Sequence, residues 1–206
     1  MGKVVVALSM SLDGFIAGPN DGPRNSLGDG GSKLFDWWSA GTKRVGHGSR
    51  SHSDDRFKPP ARSRVVAKEM FDCGAIITGR RTFDIAKGWG GHHPVGAPFF
   101  LLTHHPPDRY VGPGTGGTVV TDGIEGALKQ ARAVAGKRNI AVGAADVAQQ
   151  FLKAGLLDEI HVNIVPILLG GGVRLFANLE DRQFDLECTR VVESDGVTHL
   201  RYRVVK

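Results

Sequence analysis

The chain has 206 residues, 41% hydrophobic and 23% charged, with a net charge of +5. Such values exclude global disorder and suit one domain with a full core, because domains usually run to about 100–200 residues. Two cysteines, Cys73 and Cys188, make neither a disulfide framework nor a four-ligand zinc site, and no apolar run approaches the ~20 residues of a membrane helix.

The expectation is a soluble, cytoplasmic protein with a single domain over residues 1–206. Its excess charge is local. Residues 43–58 hold Lys43, Arg44, Arg50, Arg56 and Lys58 against Asp54 and Asp55, a net of +3, which leaves +2 elsewhere. That segment also carries Gly46, Gly48, Ser49, Ser51 and Ser53 and reads as a flexible, solvated insertion, not a grip on nucleic acid.

In chain order, residues 3–9 are β-branched and apolar at both parities, the pattern of a strand buried on both faces. Glycine-rich residues 19–31 read as a loop. Residues 32–39 suggest a short helix capped by Ser32. Pro59 and Pro60 open a second helix through Val66, Met70 and Phe71, ended near Gly74. Strands and helices then alternate: strand 75–78, a short helix starting at Thr82, and strands 99–103 and 118–121. Asp122 and Glu125 resemble a capping box before a helix bearing Ala127, Leu128, Ala131, Val134 and Ala135 on one face. Strand 139–142 is followed by a helix with Val147, Ala148, Phe151 and Leu152 inward and Gly155 at C′. Residues 159–165 read as a strand and 166–172 as a bend. Strands 186–192 and 197–205 form a hairpin at Asp195 and Gly196, with Leu200, Tyr202 and Val204 on the buried face. This order predicts a mostly parallel mixed α/β sheet with a C-terminal antiparallel hairpin and helices on both faces.

Gly112, Gly114 and Gly117 formally spell GxGxxG, but they precede a strand and do not join a strand to a helix. There is no Walker A or GxSxG sequence, and the pairs His92–His93 and His104–His105 lack metal-ligand spacing, so no metal site is expected. The informative turn is Gly79, Arg80, Arg81 and Thr82, where backbone N–H groups and two guanidinium groups suit a phosphate. A second strand ends in Thr103, His104 and His105, and a third in Gly143, Ala144 and Ala145. Small, basic or hydroxyl residues at three neighbouring strand ends are what a dinucleotide site along the carboxyl edge of an α/β sheet needs.

Residues 11–17, 79–83, 154–159 and 166–172, with Arg174, Leu175 and Phe176, resemble the dihydrofolate-reductase-like superfamily. Within it they are most similar to the reductase (C-terminal) domain of the bacterial riboflavin-biosynthesis protein RibD. The resemblance runs from Lys3 to the C-terminus outside residues 43–58. It implies NADPH as cofactor, hydride transfer as chemistry and a homodimer. By it, residues 11–17 close over the nicotinamide, with Asp13, Ile16 and Ala7 nearest. Gly79, Arg80, Arg81 and Thr82 hold the phosphates, and Thr103, His104 and His105 line the 2′-phosphate pocket. Gly143, Ala144, Ala145, Asp146 and Val147 run beside the pyrophosphate. Ala144 stands where the family commonly has a second glycine.

The substrate implied is a small heterocyclic or sugar-derived molecule, such as 5-amino-6-(5-phosphoribosylamino)uracil, with Gly14, Phe15 and Trp37 on its side of the site. Dihydrofolate reduction and non-catalytic NADP(H) binding are the alternatives. Asp36 is the candidate acid, either raised in pKa among its aromatic neighbours or merely an exposed position between two core tryptophans. Asp13 either orients substrate or stabilises its own turn.

Overall fold

A computed structural model describes residues 1–40 and 58–206; the predicted insertion therefore lies, except for Lys58, outside the described residues. The chain runs β1 (Val4–Ser11), β2 (Phe15–Ala17), a 3-10 helix (Gly31–Trp38), α1 (Ser63–Phe71), β3 (Ala75–Gly79) and α2 (Arg80–Ile85). A second 3-10 segment (Lys87–Gly91), β4 (Phe99–Leu102), β5 (Gly117–Val120), α3 (Gly123–Ala135), β6 (Ile140–Gly143) and α4 (Ala145–Lys153) follow. The last third holds β7 (Glu159–Val165), β8 (Val173–Arg174), β9 (Leu186–Ser194) and β10 (Val197–Val204).

Eight strands form one sheet in the order β5-β4-β3-β6-β1-β7-β10-β9. The first six are parallel neighbours, and β10 and β9 add antiparallel at the end. The mixed sheet and its C-terminal pair are as the sequence pattern predicts. Central strands apolar at both parities are covered on both faces, as parallel sheets require. On one face, Ala127, Leu128 and Ala131 of α3 and Val147, Phe151 and Leu152 of α4 pack on Val4, Val6, Ile77 and Phe100. On the other, Phe83 meets Ile76, Phe99 and Leu101, and Leu34, Trp37 and Ala67 meet Val165 and Val197. Phe151 is 0% exposed, so truncation to alanine there costs about 3–5 kcal/mol.

Several local expectations change. The helix over 31–38 is 3-10, entered through Gly30 at φ 74° with no side-chain cap from Ser32. Helix α2 begins at Arg80, two residues before Thr82. Helix α1 begins at Ser63, three residues past Pro60, and Asp122 precedes α3 without a side-chain cap. On β10, Val197 and His199 are buried on the face expected to be wet, because Trp37 covers them. Strand β8 escapes the sequence pattern; its two residues pair with β2, Arg174 opposite Phe15.

The glycine-rich loop is packed, not loose. Gly28 has φ +67°, and a Cβ on it would collide with the Gly18 carbonyl. Gly172, at φ +118°, likewise abuts the Ala17 carbonyl, so residues 18–31 and 166–172 are stacked backbone to backbone at the carboxyl end of β1.

Candidate functional site

A cleft of about 800 Å³ follows the carboxyl ends of the parallel strands, the place where open α/β sheets bind ligands. Four predicted segments meet there. The β3 end delivers Gly79, Arg80, Arg81 and Thr82, and the β4 end delivers Thr103, His104 and His105. The β6 end delivers Ala144, Ala145, Asp146 and Val147, while Ile16 comes from β2.

Each segment has local reasons for its shape. Thr103 Oγ1 accepts the His105 N–H at 3.1 Å, curling the chain after β4 into a hydroxyl-stabilised turn. Helix α4 starts after Ala144 with no side-chain cap, and its first backbone bond runs from the Ala148 N–H to the Ala144 carbonyl at 3.1 Å. The N–H groups of Ala145, Asp146 and Val147 are therefore the helix's orphan donors, at the positive end of its dipole. A Cβ on Gly79 would stand 3.2 Å from Val147 Cγ2, so β3 and α4 approach closely there.

The two predicted phosphate arginines already have partners. Arg80 Nε donates to Asp84 Oδ1 and Oδ2 at 2.8 and 3.0 Å, and its Nη1 donates to the His105 carbonyl. Arg81 Nη2 donates to Asp21 Oδ1 at 2.7 Å. A third guanidinium lining the cleft, Arg174, has no carboxylate partner among the described residues. It lies 4.3 Å over the Phe15 ring and donates to the Asp13 carbonyl at 3.0 Å.

Other predicted residues stand apart from the cleft lining. Ala7 is one pleat short, and Ser9, with the same parity on β1, lines the cleft in its place. Gly143 sits in β6 opposite Thr78. Gly14 and Phe15 form the turn that carries Ile16, with Arg174 over the Phe15 ring. Trp37 is 1% exposed and donates through Nε1 to Ser9 Oγ at 3.1 Å; it underlies the site and does not line it.

The two candidate acids are also displaced. Asp36 is exposed and outside the cleft. Asp13 fastens loops: its Oδ1 accepts the Ser11 hydroxyl at 2.5 Å and the Leu169 N–H at 3.1 Å, and its Oδ2 accepts the Gly170 N–H at 2.7 Å. The Ser11 hydroxyl, helped by those backbone N–H groups, holds its carboxyl down to about 2. A group so acidic is a carboxylate at neutral pH and gives no proton.

Sequence reasoning missed Ser9, Asp21, Phe35, Arg174, Gln149 and Asn178 in the lining. Gln149 is buried and bridges two backbone groups, donating to the Leu175 carbonyl at 2.8 Å and accepting the Asn178 N–H at 3.1 Å. Its place in an amphipathic helix gives no sign of this. Among the described residues no group of three or more His, Cys, Asp or Glu is placed to hold a metal ion, and no helix is long and apolar enough to cross a membrane.

This sheet order, with its antiparallel end and its cleft at the carboxyl edge, defines an α/β domain with the dihydrofolate-reductase-like fold. The RibD C-terminal domain model matches residues 2–200, and the chain belongs to that family. A Shewanella sp. PV-4 protein assigned to riboflavin biosynthesis has a similar structure, with 22% identity over 100% of both chains and a TM-score of 0.68. A pyrimidine reductase-like protein from Corynebacterium diphtheriae is 14% identical over 100% of this chain and 92% of its own, with a TM-score of 0.59. The Thermotoga maritima diaminohydroxyphosphoribosylaminopyrimidine deaminase/5-amino-6-(5-phosphoribosylamino)uracil reductase is 12% identical. That alignment covers 99% of this chain and 57% of the Thermotoga one, with a TM-score of 0.60. No curated protein matches the chain in sequence.

Proposed function

We propose that this chain is an NADPH-dependent reductase acting on a small heterocyclic or sugar-derived substrate, of the kind named for the Thermotoga protein. The observation that carries the reading is the meeting, in one cleft, of the open α4 N-terminus with the Thr103–His105 turn and the Gly79–Thr82 turn. The donor set fits a dinucleotide phosphate: Ala145, Asp146 and Val147 offer backbone N–H groups for a pyrophosphate. Thr103, His104, His105 and Arg80 offer hydroxyl, imidazole and guanidinium groups for a 2′-phosphate.

NADPH, when bound, supplies a hydride from its nicotinamide ring. The protein's part is to bind and orient the reactants and to limit water. Neither Asp13 nor Asp36 serves as proton donor in this reading, so the protonation step falls to another group or to solvent. Dihydrofolate reduction is the weaker alternative, because the expected acid on the first helix lies off the cleft. We further propose that the chain acts as a homodimer in the cytoplasm; elution as a monomer at micromolar concentration removes the dimer.

The deciding experiment is fluorescence titration with NADPH, followed by NADPH consumption with 5-amino-6-(5-phosphoribosylamino)uracil and with dihydrofolate. Turnover of the pyrimidine alone is the expected result. Absence of NADPH binding overturns the cofactor assignment, and tight binding with no turnover of either substrate favours a non-catalytic binding protein.

A further inference from the structure

Ser9 places a buried hydroxyl on the floor of the cleft. It is 2% exposed and lines the cleft beside the apolar side chains of Leu8, Ile16 and Phe35. Trp37 Nε1 donates to its Oγ at 3.1 Å. An indole N–H only donates, so Ser9 uses an oxygen lone pair for this bond and keeps its own proton. Among the described residues that proton has no acceptor: the bond from Trp37 is the one hydrogen bond of the Ser9 side chain. A buried hydroxyl proton left unused is costly unless something else receives it.

Trp37 cannot turn away to change this arrangement. It is 1% exposed, with Trp38 edge-on at 5.8 Å and His199 edge-on at 5.0 Å. The indole thus fixes which side of the Ser9 oxygen is occupied and leaves the proton free for the cleft. The surrounding aliphatic and aromatic walls suit a flat ring, and a ring placed there needs one donor for its carbonyl or ring nitrogen.

We infer that Ser9, oriented by Trp37, donates a hydrogen bond to the acceptor atom of a flat heterocycle held at the apolar end of the cleft. The inference rests on the reductase reading, in which two ligands bring such rings: the cofactor with its nicotinamide carboxamide, and the substrate. Trp37 acts through Ser9 as a positioning residue and touches neither ligand.

The test is calorimetric titration of the wild-type protein, Ser9→Ala, Trp37→Phe and the double variant. The probes are NADPH, 2′-phospho-ADP-ribose (the same phosphates without nicotinamide) and folate as a carbonyl-bearing heterocycle. Ser9→Ala should weaken NADPH or folate by about 2- to 12-fold, the range of one neutral hydrogen bond, and leave 2′-phospho-ADP-ribose unchanged. Trp37→Phe should reproduce that selective loss, and the double variant should lose no more than Ser9→Ala alone, because the two side chains act as one unit. A loss confined to NADPH assigns the bond to the carboxamide; one confined to folate assigns it to the substrate ring.

Equal loss for 2′-phospho-ADP-ribose would mean a general collapse of the cleft and overturn the inference. Unchanged binding of both heterocycles to Ser9→Ala would overturn it too. Should Trp37→Phe not fold, the Ser9→Ala comparison decides. Failure of the wild-type protein to bind NADPH would instead sink the reductase reading, with the folate titration then deciding the Ser9 inference.

Discussion

Arg81 on α2 reaches Asp21 in the glycine-rich loop, sixty residues away in sequence, with Nη2 standing 2.7 Å from Oδ1 and 3.2 Å from the Asp21 carbonyl oxygen. Both residues line the cleft, so a packed loop and a helix from different parts of the chain are joined at its wall. The Asp21 side chain is 12% exposed and the Arg81 side chain 67%. The carboxylate is thus held inside while the guanidinium stays in reach of solvent and ligand.

This pairing sets the charge that an anionic ligand meets. Asp21→Asn removes a negative charge and frees Arg81, so NADPH affinity should rise severalfold, with a steeper dependence on salt. Arg81→Gln should lower it and flatten that dependence. Stability should change by less than about 1 kcal/mol in either variant, because the exposed guanidinium leaves the pair's attraction screened by solvent. Titrations at two ionic strengths check the directions; lower affinity in Asp21→Asn would show that the pair matters as a brace for the loop.

Much of the fold was legible because its strands carry the pattern that burial imposes. Ala75, Ile76 and Ile77 are apolar at every position and sit in the middle of the parallel sheet. Asp195 and Gly196 mark the hairpin between β9 and β10. The outward position of Asp36 on the 3-10 helix has a geometric reason that the sequence hides. With three residues per turn, Leu34 and Trp37 stack on one face, and Asp36 falls on another. A sequence window does not distinguish that geometry from an α-turn that would bring Asp36 inward.

The site was legible where strands end in small or hydroxyl residues and obscure where contacts are long-range. Arg174 meets Asp13 and Phe15 only because β8 pairs with β2, and two paired residues leave no periodic signal. Strand alternation gives parity and not how far along the strand the cleft begins, so it does not separate Ser9 from Ala7, the residue that the resemblance implies.

The two carboxylates that the sequence offers as acids, Asp36 and Asp13, give opposite expectations. Asp36→Asn should leave NADPH consumption at the wild-type rate, since the side chain is exposed and away from the cleft. A fall of about 10²-fold or more, the size of a lost general acid, would restore it to the chemistry. Asp13→Ala should loosen the junction between residues 11–15 and 166–172. Hydrogen exchange should quicken at the Leu169 and Gly170 amides, which donate to its carboxylate. The folded-state value near 2 lies below the ordinary 3.8, so this contribution is present above about pH 4 and fades as pH falls toward 2. Unchanged exchange at those two amides would contradict the fastening role.

His199 makes stability depend on pH in a different window. Its Nδ1 lies 2.6 Å from Asn163 Oδ1 and its Nε2 lies 2.9 Å from Ser63 Oγ. Asn163 gives its amide N–H to the Leu8 carbonyl at 3.4 Å and the Met70 sulfur at 3.2 Å, leaving Oδ1 as acceptor. The neutral imidazole therefore carries its proton on Nδ1 and turns the unprotonated Nε2 toward Ser63 Oγ, which also stands 2.8 Å from Ser194 Oγ. Burial, and secondarily the charge of Arg190, pushes this imidazole down from 6.5 to about 4.

Because the folded-state value is the lower one, the unfolded chain takes up the proton first. Stability is then full above about pH 6.5 and declines as pH falls toward 4, by about 1.4 kcal/mol per pH unit for one such group. Burial lowers His93 to about 4 as well, so the two add within this window. Thermal melts of the wild-type protein from pH 7 to 5 should show a falling Tm. His199→Gln should melt lower at pH 7 but with a shallower slope; parallel curves would remove His199 as the titrating group.

Arg80 is both a brace and a candidate cofactor contact, and the two roles can be separated. Its Nε holds both Asp84 oxygens and its Nη1 holds the His105 carbonyl, so it ties α2 to the turn after β4. Charge-assisted hydrogen bonds contribute roughly 1.5–3 kcal/mol, or about 10–150-fold in affinity. The Asp84 carboxylate already neutralises part of the guanidinium, so the lower end of that range is expected. Arg80→Ala should weaken NADPH by about 10-fold and NADH much less, since only NADPH carries the 2′-phosphate. Equal losses for both cofactors would place Arg80 at the pyrophosphate. Asp84→Asn then isolates the charge: it keeps Arg80 and removes its competing anion, so NADPH should bind more tightly if Arg80 meets the phosphate directly. If the brace alone matters, Asp84→Asn should weaken NADPH and NADH together, because the turn carrying Thr103, His104 and His105 loses its anchor on α2.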